Sequence, residues 1–423
     1  MVESRHLEGF SEKDRSPEAL DEAGRERPIN RLMPLSPSSS KTMETPVFIY
    51  DLRCLKERLD LFREVHRISG VKVLYSIKAQ PHAALLRWIG PKVRGFSVSS
   101  LFEARLARDV LIERGLQDHP LHLTSPGLRL QDLEALKSLN VTISYNSLEQ
   151  LQRWEESGAL EGGKTGLRIN PGLSSIPDPR YDPCRPHSKL GVPLEDLQAA
   201  INMNPKFIHG ISGLHCHSHY DQPDAEPLRW ILERIEKSLA AWFLDLQWIN
   251  IGGGYAPRSP LEAQALGSVI QAFREKTGLQ ILMEPGKGLV GAAGRLETTV
   301  IDRFTRDGKT IAVLDTGVHH LPEVFEYQRP PTIKEASPQG PHEALLVGSS
   351  CLAGDLFGSY RFEAPIKVGD RLTILDVGAY AMVKASRFNG FDFPDLVILD
   401  EEGSFGPAIT GGYEAYRGQW GLK

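Results

Sequence analysis

The chain has 423 residues, 41% of them apolar and 24% charged. That composition suits an ordinary globular protein with room for one large barrel or two domains. Its 49 basic and 54 acidic residues leave a formal charge of −5 with no basic block, which argues against nucleic acid as the main partner. No apolar run reaches the ~18 residues that a membrane span needs, and the charged N-terminus lacks the apolar core of a secretion signal. Cys54, Cys184, Cys216 and Cys351 are scattered and form no CxxC pair, so neither a zinc cage nor a disulfide framework is indicated. The expected location is the cytoplasm.

Residues 1–44 are rich in Glu, Arg, Ser and Pro, without periodicity. They cannot bury enough apolar surface to offset their ordering, which predicts a flexible tail, with a docking or targeting segment as the alternative. Thr45–Tyr50 is β-prone and adds a strand to either domain; it is counted here with the first. β-prone runs follow at Val73–Ile77, Phe96–Ser99, Leu121–Thr124, Val141–Ser144, Gly166–Ile169, Ile211–His215, Trp248–Ile251 and Gln280–Met283. Between them lie stretches with apolar residues at helical spacing, such as Leu52–His66, Ser100–Arg114 and Glu226–Phe243. Strands alternating with helices predict a parallel sheet, and eight of them over residues 45–296 fit an α/β fold of the (β/α)8 TIM-like barrel type. A doubly wound sheet is the alternative. From Glu297 to residue 423 short runs bounded by Gly, Pro and Asp (Thr310–Leu314, Ala344–Val347, Arg371–Leu375, Leu396–Leu399) predict a C-terminal β-rich domain.

In such a barrel the reacting residues stand at the C-terminal ends of the strands. The first strand ends in Tyr75-Ser76-Ile77-Lys78. A lysine there would be desolvated and nucleophilic, or simply a surface residue one step beyond the strand. The sixth ends in His215-Cys216-His217-Ser218-His219. Those alternate histidines suit a zinc site, an imidazole against a cofactor ring, or plain core packing. Gly252-Gly253-Gly254 after the seventh strand allows close approach of backbone N–H groups to a phosphate, or is only a turn. Glu284 after the eighth could be structural or could keep a cofactor nitrogen protonated. In the second half, Cys351, flanked by small residues and followed four positions later by Asp355, is either a reactive thiol or a small buried hydrophobe.

In this order and spacing the motifs resemble the fold-type III, alanine-racemase-like decarboxylases that depend on pyridoxal 5'-phosphate (PLP). Within that group the chain most resembles the carboxynorspermidine/carboxyspermidine decarboxylases. The likeness rests on Gly95-Phe96-Ser97-Val98-Ser99-Ser100-Leu101-Phe102-Glu103, Arg168-Ile169-Asn170-Pro171, Tyr181-Asp182-Pro183-Cys184, His320-Leu321-Pro322-Glu323-Val324, Ser350 to Asp355, and Met382-Val383-Lys384 with Phe388-Asn389-Gly390. The resemblance implies that Lys78 holds PLP covalently, His217 stacks on its ring and Glu284 pairs with its ring nitrogen. Gly252, Gly253, Gly254 and Tyr380 would then meet its phosphate. It also implies that Cys351 protonates the product carbanion and that Asp355 lies beside a distal amine of the substrate; since a buried ammonium needs a counter-charge, Glu323 and Asp182 are the next candidates.

In this group Cys351 and Asp355 enter the site of a partner subunit, so an obligate homodimer is implied. Leu352 stands where ornithine decarboxylases carry Asp, which speaks against ornithine. The expected activity is decarboxylation of a carboxypolyamine or a related amino acid with a distal amine, in polyamine biosynthesis. The alternatives are a specialised pathway such as siderophore assembly, an amino-acid racemase, a non-catalytic homologue and, on the glycine triplet alone, a dinucleotide-dependent oxidoreductase. No resident metal, nucleic acid or membrane enters this reading.

Overall fold

The computed structural model describes residues 43–156, 165–176, 178–204, 210–408 and 411–422; the tail expected over residues 1–44 lies, up to residue 42, outside them. The first strand, β1 (Val47–Asp51), is followed by the helix Leu52–Ser69, which begins where Asp51 accepts the Arg53 amide and stops at Gly70 in the left-handed region (φ 71°). Then come β2 (Lys72–Ser76), β3 (Gly95–Val98), β4 (Leu121–Thr124), β5 (Val141–Tyr145), β6 (Thr165–Asn170), the two-residue β7 (Val192–Pro193), β8 (Gly213–His215), β9 (Trp248–Asn250) and β10 (Gln280–Met283). Apart from β7, which pairs only with β6, these strands run parallel in the order β5-β4-β3-β2-β10-β9-β8-β6, and β5 pairs with β6 to close the circle. The expected eight-stranded barrel is therefore present. Its strands are buried along nearly their whole length, because helices cover the outer face while side chains fill the interior.

Helices lie between these strands, among them Ala83–Ile89, Leu101–Glu113, Glu226–Leu239 and Pro260–Thr277. The second of these starts in a capping arrangement. Ser100 Oγ accepts the Glu103 amide at 3.2 Å, and Glu103 Oε2 accepts the Ser99 amide at 2.6 Å.

The expected β-rich second half holds β11 (Gly294–Arg306), β12 (Lys309–Leu314), β13 (His342–Val347), β14 (Leu356–Phe362), β15 (Arg371–Ile374) and β16 (Asp395–Leu399). Its sheet runs β14-β13-β12-β11-β1-β16, with β15 also on β11. Residues Val47–Asp51, counted above with the barrel, thus belong to the other sheet, antiparallel to β11 and parallel to β16. The reason is visible in β1 itself. Phe48 and Tyr50 join the main core, whereas Val47 and Ile49 pack with Val397 and Leu399 in a separate cluster, so a strand apolar on both faces obtains cover on both.

The two halves meet beside Lys78. Tyr50 donates its hydroxyl to the Gly378 carbonyl (3.1 Å) and accepts from Gln80 Nε2 (2.5 Å), and the Tyr380 amide donates to the Ala79 carbonyl (3.0 Å). No helix among the described residues is long and apolar enough to cross a membrane.

Candidate active site

Lys78 stands in the single turn of 3-10 helix, Ile77–Ala79, that follows β2. Its side chain is open to solvent at the barrel mouth, yet it is ringed closely enough by protein that its pKa falls below the ordinary lysine value. Desolvation is the chief cause and Arg168 adds to it, while Glu284 and Glu103 oppose. Access and desolvation together are what a lysine needs to attack a carbonyl.

Across the mouth, Glu284 is buried just past β10. Burial by itself would raise its carboxyl, but the adjacent His215, with His122 and Lys78, holds it well below the usual range. Asn250 donates from Nδ2 to Glu284 Oε1 at 2.6 Å, and His215 Nε2 lies 3.5 Å from Oε2. The site therefore contains a fixed anion surrounded by cations and donors.

The three alternate histidines go three ways. β8 ends at His215, so the strand does not continue to line them up. His215 turns to Glu284. His217 Nδ1 accepts the Gly253 amide at 3.0 Å, and burial with nearby Lys78 and Arg168 keeps its ring well below the ordinary imidazole pKa. His219 is buried against Tyr255, with centroids 4.8 Å apart, and burial pulls its pKa to about 4. Among the described residues no group of three His, Cys, Asp or Glu is placed to hold a metal. The zinc alternative is dropped because the three rings point at different partners.

The glycine loop sits against these histidines. Gly254 has φ 91°, and a Cβ on Gly253 would lie 2.3 Å from the Glu284 carbonyl oxygen, so this turn excludes side chains. Two of its amides are already engaged within the chain, Gly252 N–H with Asn250 Oδ1 (3.0 Å) and Gly253 N–H with His217. Tyr380, with a positive φ of 61°, is held over Ala79 by its own amide, and burial first, then Glu323 and Glu103, push its phenol up to about 12.

The distal candidates separate in the structure. Asp355 is 3% exposed and turned inward, where its carboxylate accepts the Val318 amide (2.7 Å), the Ser350 amide (3.1 Å) and the Ser350 hydroxyl (2.5 Å). Through these contacts it braces the loop that carries Cys351. Asp182 accepts the Cys184 amide at 2.8 Å, closing its own turn.

Glu323 is half-buried on the short helix Pro322–Tyr327 and lies within electrostatic reach of Lys287, Tyr220 and Tyr380. Burial raises its carboxyl, and Lys384 at 3.7 Å opposes that rise. Beside it Tyr181 stacks between Tyr220 and Tyr327, each pair of centroids 4.2 Å apart. Cys351 is exposed on the turn between β13 and β14, its amide donating to Asn389 Oδ1 at 2.8 Å.

Sequence reasoning missed Asn250, Glu103 and the tyrosine stack as parts of the site. It quoted Arg168 only as motif, although that buried guanidinium lies within reach of both Lys78 and Glu284. The position of Asn250 at the end of β9, two residues before the glycines, was the available signal. Of the stack only Tyr181 stood in a quoted motif, since Tyr181 and Tyr327 are 327 − 181 = 146 positions apart.

The donors present fit PLP: an accessible, desolvated lysine, a buried anion opposite it and a close-approach glycine turn. Residues 47–378 match the model of the pyridoxal-dependent decarboxylase family, described as its C-terminal sheet domain. A carboxyaminopropylagmatine decarboxylase from Synechocystis sp. is 34% identical over 385 residues, covering 90% of this chain and 96% of that protein. A carboxynorspermidine/carboxyspermidine decarboxylase from Campylobacter jejuni is 28% identical, covering 85% and 94%. The crystal structure of carboxynorspermidine decarboxylase complexed with norspermidine, also from C. jejuni, superposes with a TM-score of 0.79 at 26% identity, over 89% of this chain and 100% of that one.

Proposed function

This chain belongs to the pyridoxal-dependent decarboxylase family, and from that premise we propose that it removes the carboxyl group of an α-amino acid whose side chain is a polyamine. The carboxy-lyase activity and the cofactor come with the family; the substrate class and the residue roles are our assignment. Lys78 would hold PLP through its amine, with Glu284 toward the ring nitrogen, His217 toward the ring, and the Gly252–Gly254 turn and Tyr380 toward the phosphate. Bound PLP supplies an electron sink at the substrate α-carbon. Glu284, kept anionic by its donors, holds a proton on the ring nitrogen. Lys78, whose amine desolvation holds below the ordinary lysine value, exchanges a proton with the substrate amine. Cys351 delivers a proton to the α-carbon.

The observation that carries the substrate class is Glu323 beside the Tyr181–Tyr220–Tyr327 stack. The chain's own Lys384 already places an ammonium there, 3.7 Å from Glu323 and 5.4 Å above the Tyr327 ring. A carboxylate flanked by aromatic faces favours a cationic chain over a neutral one. The decisive comparison is kcat/KM on carboxynorspermidine, carboxyspermidine, carboxyaminopropylagmatine, meso-diaminopimelate, ornithine, lysine and arginine. A carboxylated polyamine is expected to lead by tenfold or more, roughly the effect of one charge-assisted contact; a lead by diaminopimelate or ornithine would sink the assignment. Glu323→Gln should raise KM for the preferred polyamine about tenfold or more and leave kcat within a few-fold.

We also place the active enzyme as a homodimer in the cytoplasm. Support comes from Cys351, exposed on its own subunit in a turn that the family resemblance assigns to a partner's site, and from four unpaired thiols, which suit a reducing compartment. Mixing inactive Lys78→Ala with inactive Cys351→Ala and allowing subunits to exchange should restore about a quarter of wild-type activity, because each mixed dimer regains one intact site. A mixture that stays inactive after verified exchange would mean that Cys351 serves its own subunit.

A further inference from the structure

His215 lies beside Glu284 but has no part in the proposed reaction, although its place in the barrel is specific. It ends β8 in register with Arg168 on β6 and with Asn250 on β9, so these three polar side chains stand at one level of the barrel. Asn250 is fully buried and fixed at both ends of its amide: Oδ1 accepts the Gly252 N–H, and Nδ2 donates to Glu284 Oε1. The other oxygen of that carboxylate, Oε2, faces His215 Nε2 at 3.5 Å, with His215 only 2% exposed. At that separation the contact falls short of a hydrogen bond, and Nε2 is buried with no hydrogen-bond partner among the described residues. Contacts in catalytic clusters are commonly that loose before a ligand arrives.

A barrel interior is normally filled by branched apolar side chains, and a buried imidazole with nothing to bind is costly there. Packing alone therefore gives no reason for histidine at 215.

We infer that His215 is a positioning residue: its neutral ring, carrying hydrogen on Nε2, donates to Glu284 and, with Asn250, keeps that carboxylate ionised and aimed at the cofactor nitrogen. The inference rests on the assignment of Glu284 made above. The charge balance around the pair supports a neutral donor. His215 is buried and faces Arg168 and Lys78, all of which disfavour an imidazolium, while only Glu284 favours one; the net effect is a pKa below the ordinary 6.5. Glu284 itself feels His215, His122 and Lys78. A neutral donor lowers the basicity of the carboxylate without cancelling its charge, so the shared proton stays on the ring nitrogen.

The experiment compares PLP-loaded wild type, His215→Phe, His215→Gln and Glu284→Gln. Three quantities are read: the pH midpoint of the bound cofactor's visible absorbance, the apparent PLP affinity of the apoprotein, and kcat with KM. Glutamine retains an N–H donor of similar reach, whereas phenylalanine fills the space without one. His215→Phe is expected to move the absorbance midpoint by about one pH unit or more and to lower kcat roughly ten- to a hundredfold at constant KM, the effect of one hydrogen bond to a charged group. His215→Gln should bring both back to within a few-fold of wild type. If His215→Phe does not accumulate as folded protein, His215→Leu gives the same comparison.

An unmoved midpoint in His215→Phe, or equal losses in the Phe and Gln variants, would reduce His215 to a packing residue and overturn the inference. If Glu284→Gln leaves midpoint, affinity and kcat unchanged, the fault lies in the assignment of Glu284.

Discussion

Replacing Lys78 by alanine is expected to lower kcat by roughly 10³-fold or more and to remove the visible absorbance of the covalently held cofactor, without loss of thermal stability. The size follows from deleting the nucleophile, which no neighbouring group can replace. Other lysines do stand near the mouth, but Lys287 is held by Asp221 at 2.8 Å and Lys384 by Glu323 and Glu326. Stability is spared because the Lys78 side chain stands in open space at the mouth and fills no core volume. Its removal also takes a cation away from Arg168, which already bears a lowered pKa from burial. Kinetics and an unfolding curve measured on one preparation check both halves. Full turnover by the alanine variant would overturn the assignment of the reacting lysine.

The second large effect is expected at Glu284. Glu284→Gln should cost about 10²–10³-fold in kcat, the usual result of removing one preorganised charge from a water-poor site. It should also destabilise the protein, because the buried Arg168 and His122 lose the anion they face. The pH dependence has a definite sign. The folded carboxyl is held well below its unfolded value of about 4.5, so its contribution is complete above that value and is lost as pH falls toward the folded one. Wild type and variant should therefore differ most in stability at neutral pH and converge in strong acid. Denaturant titrations at pH 7 and at the lowest pH that still supports folding test this. A constant difference across that range would mean that Glu284 is not the titrating anion.

The alternation of apolar strand and amphipathic helix was enough to predict the barrel, since period-2 and period-3.6 patterns are local properties of the chain. The strands at Leu121–Thr124 and Gln280–Met283 coincide with their predicted spans, the other predicted strands shift by one or two residues, and β7, β11 and β14 had no predicted counterpart. Lys78, Gly252–Gly254 and Glu284 were legible for the same reason: their distance past a strand end fixes which rim of the barrel they reach. Val47–Asp51 was different. Its apolar run requires cover on both faces, but a local pattern does not name the neighbour that supplies it.

Residue type and position along the chain thus determined the barrel, the β-rich second half, the rim that bears the chemistry and the candidates on it. The tertiary structure alone decided how those candidates divide their work. It turned Asp355 inward onto the Val318 and Ser350 amides, engaged the amides of Gly252 and Gly253, and sent His215, His217 and His219 to three partners. It also brought Tyr181, Tyr220 and Tyr327 into one stack beside Glu323. Each of these outcomes depends on which distant atom meets a donor, an acceptor or a ring. That choice is made by packing between segments far apart in the sequence, where periodicity and motif spacing carry no information.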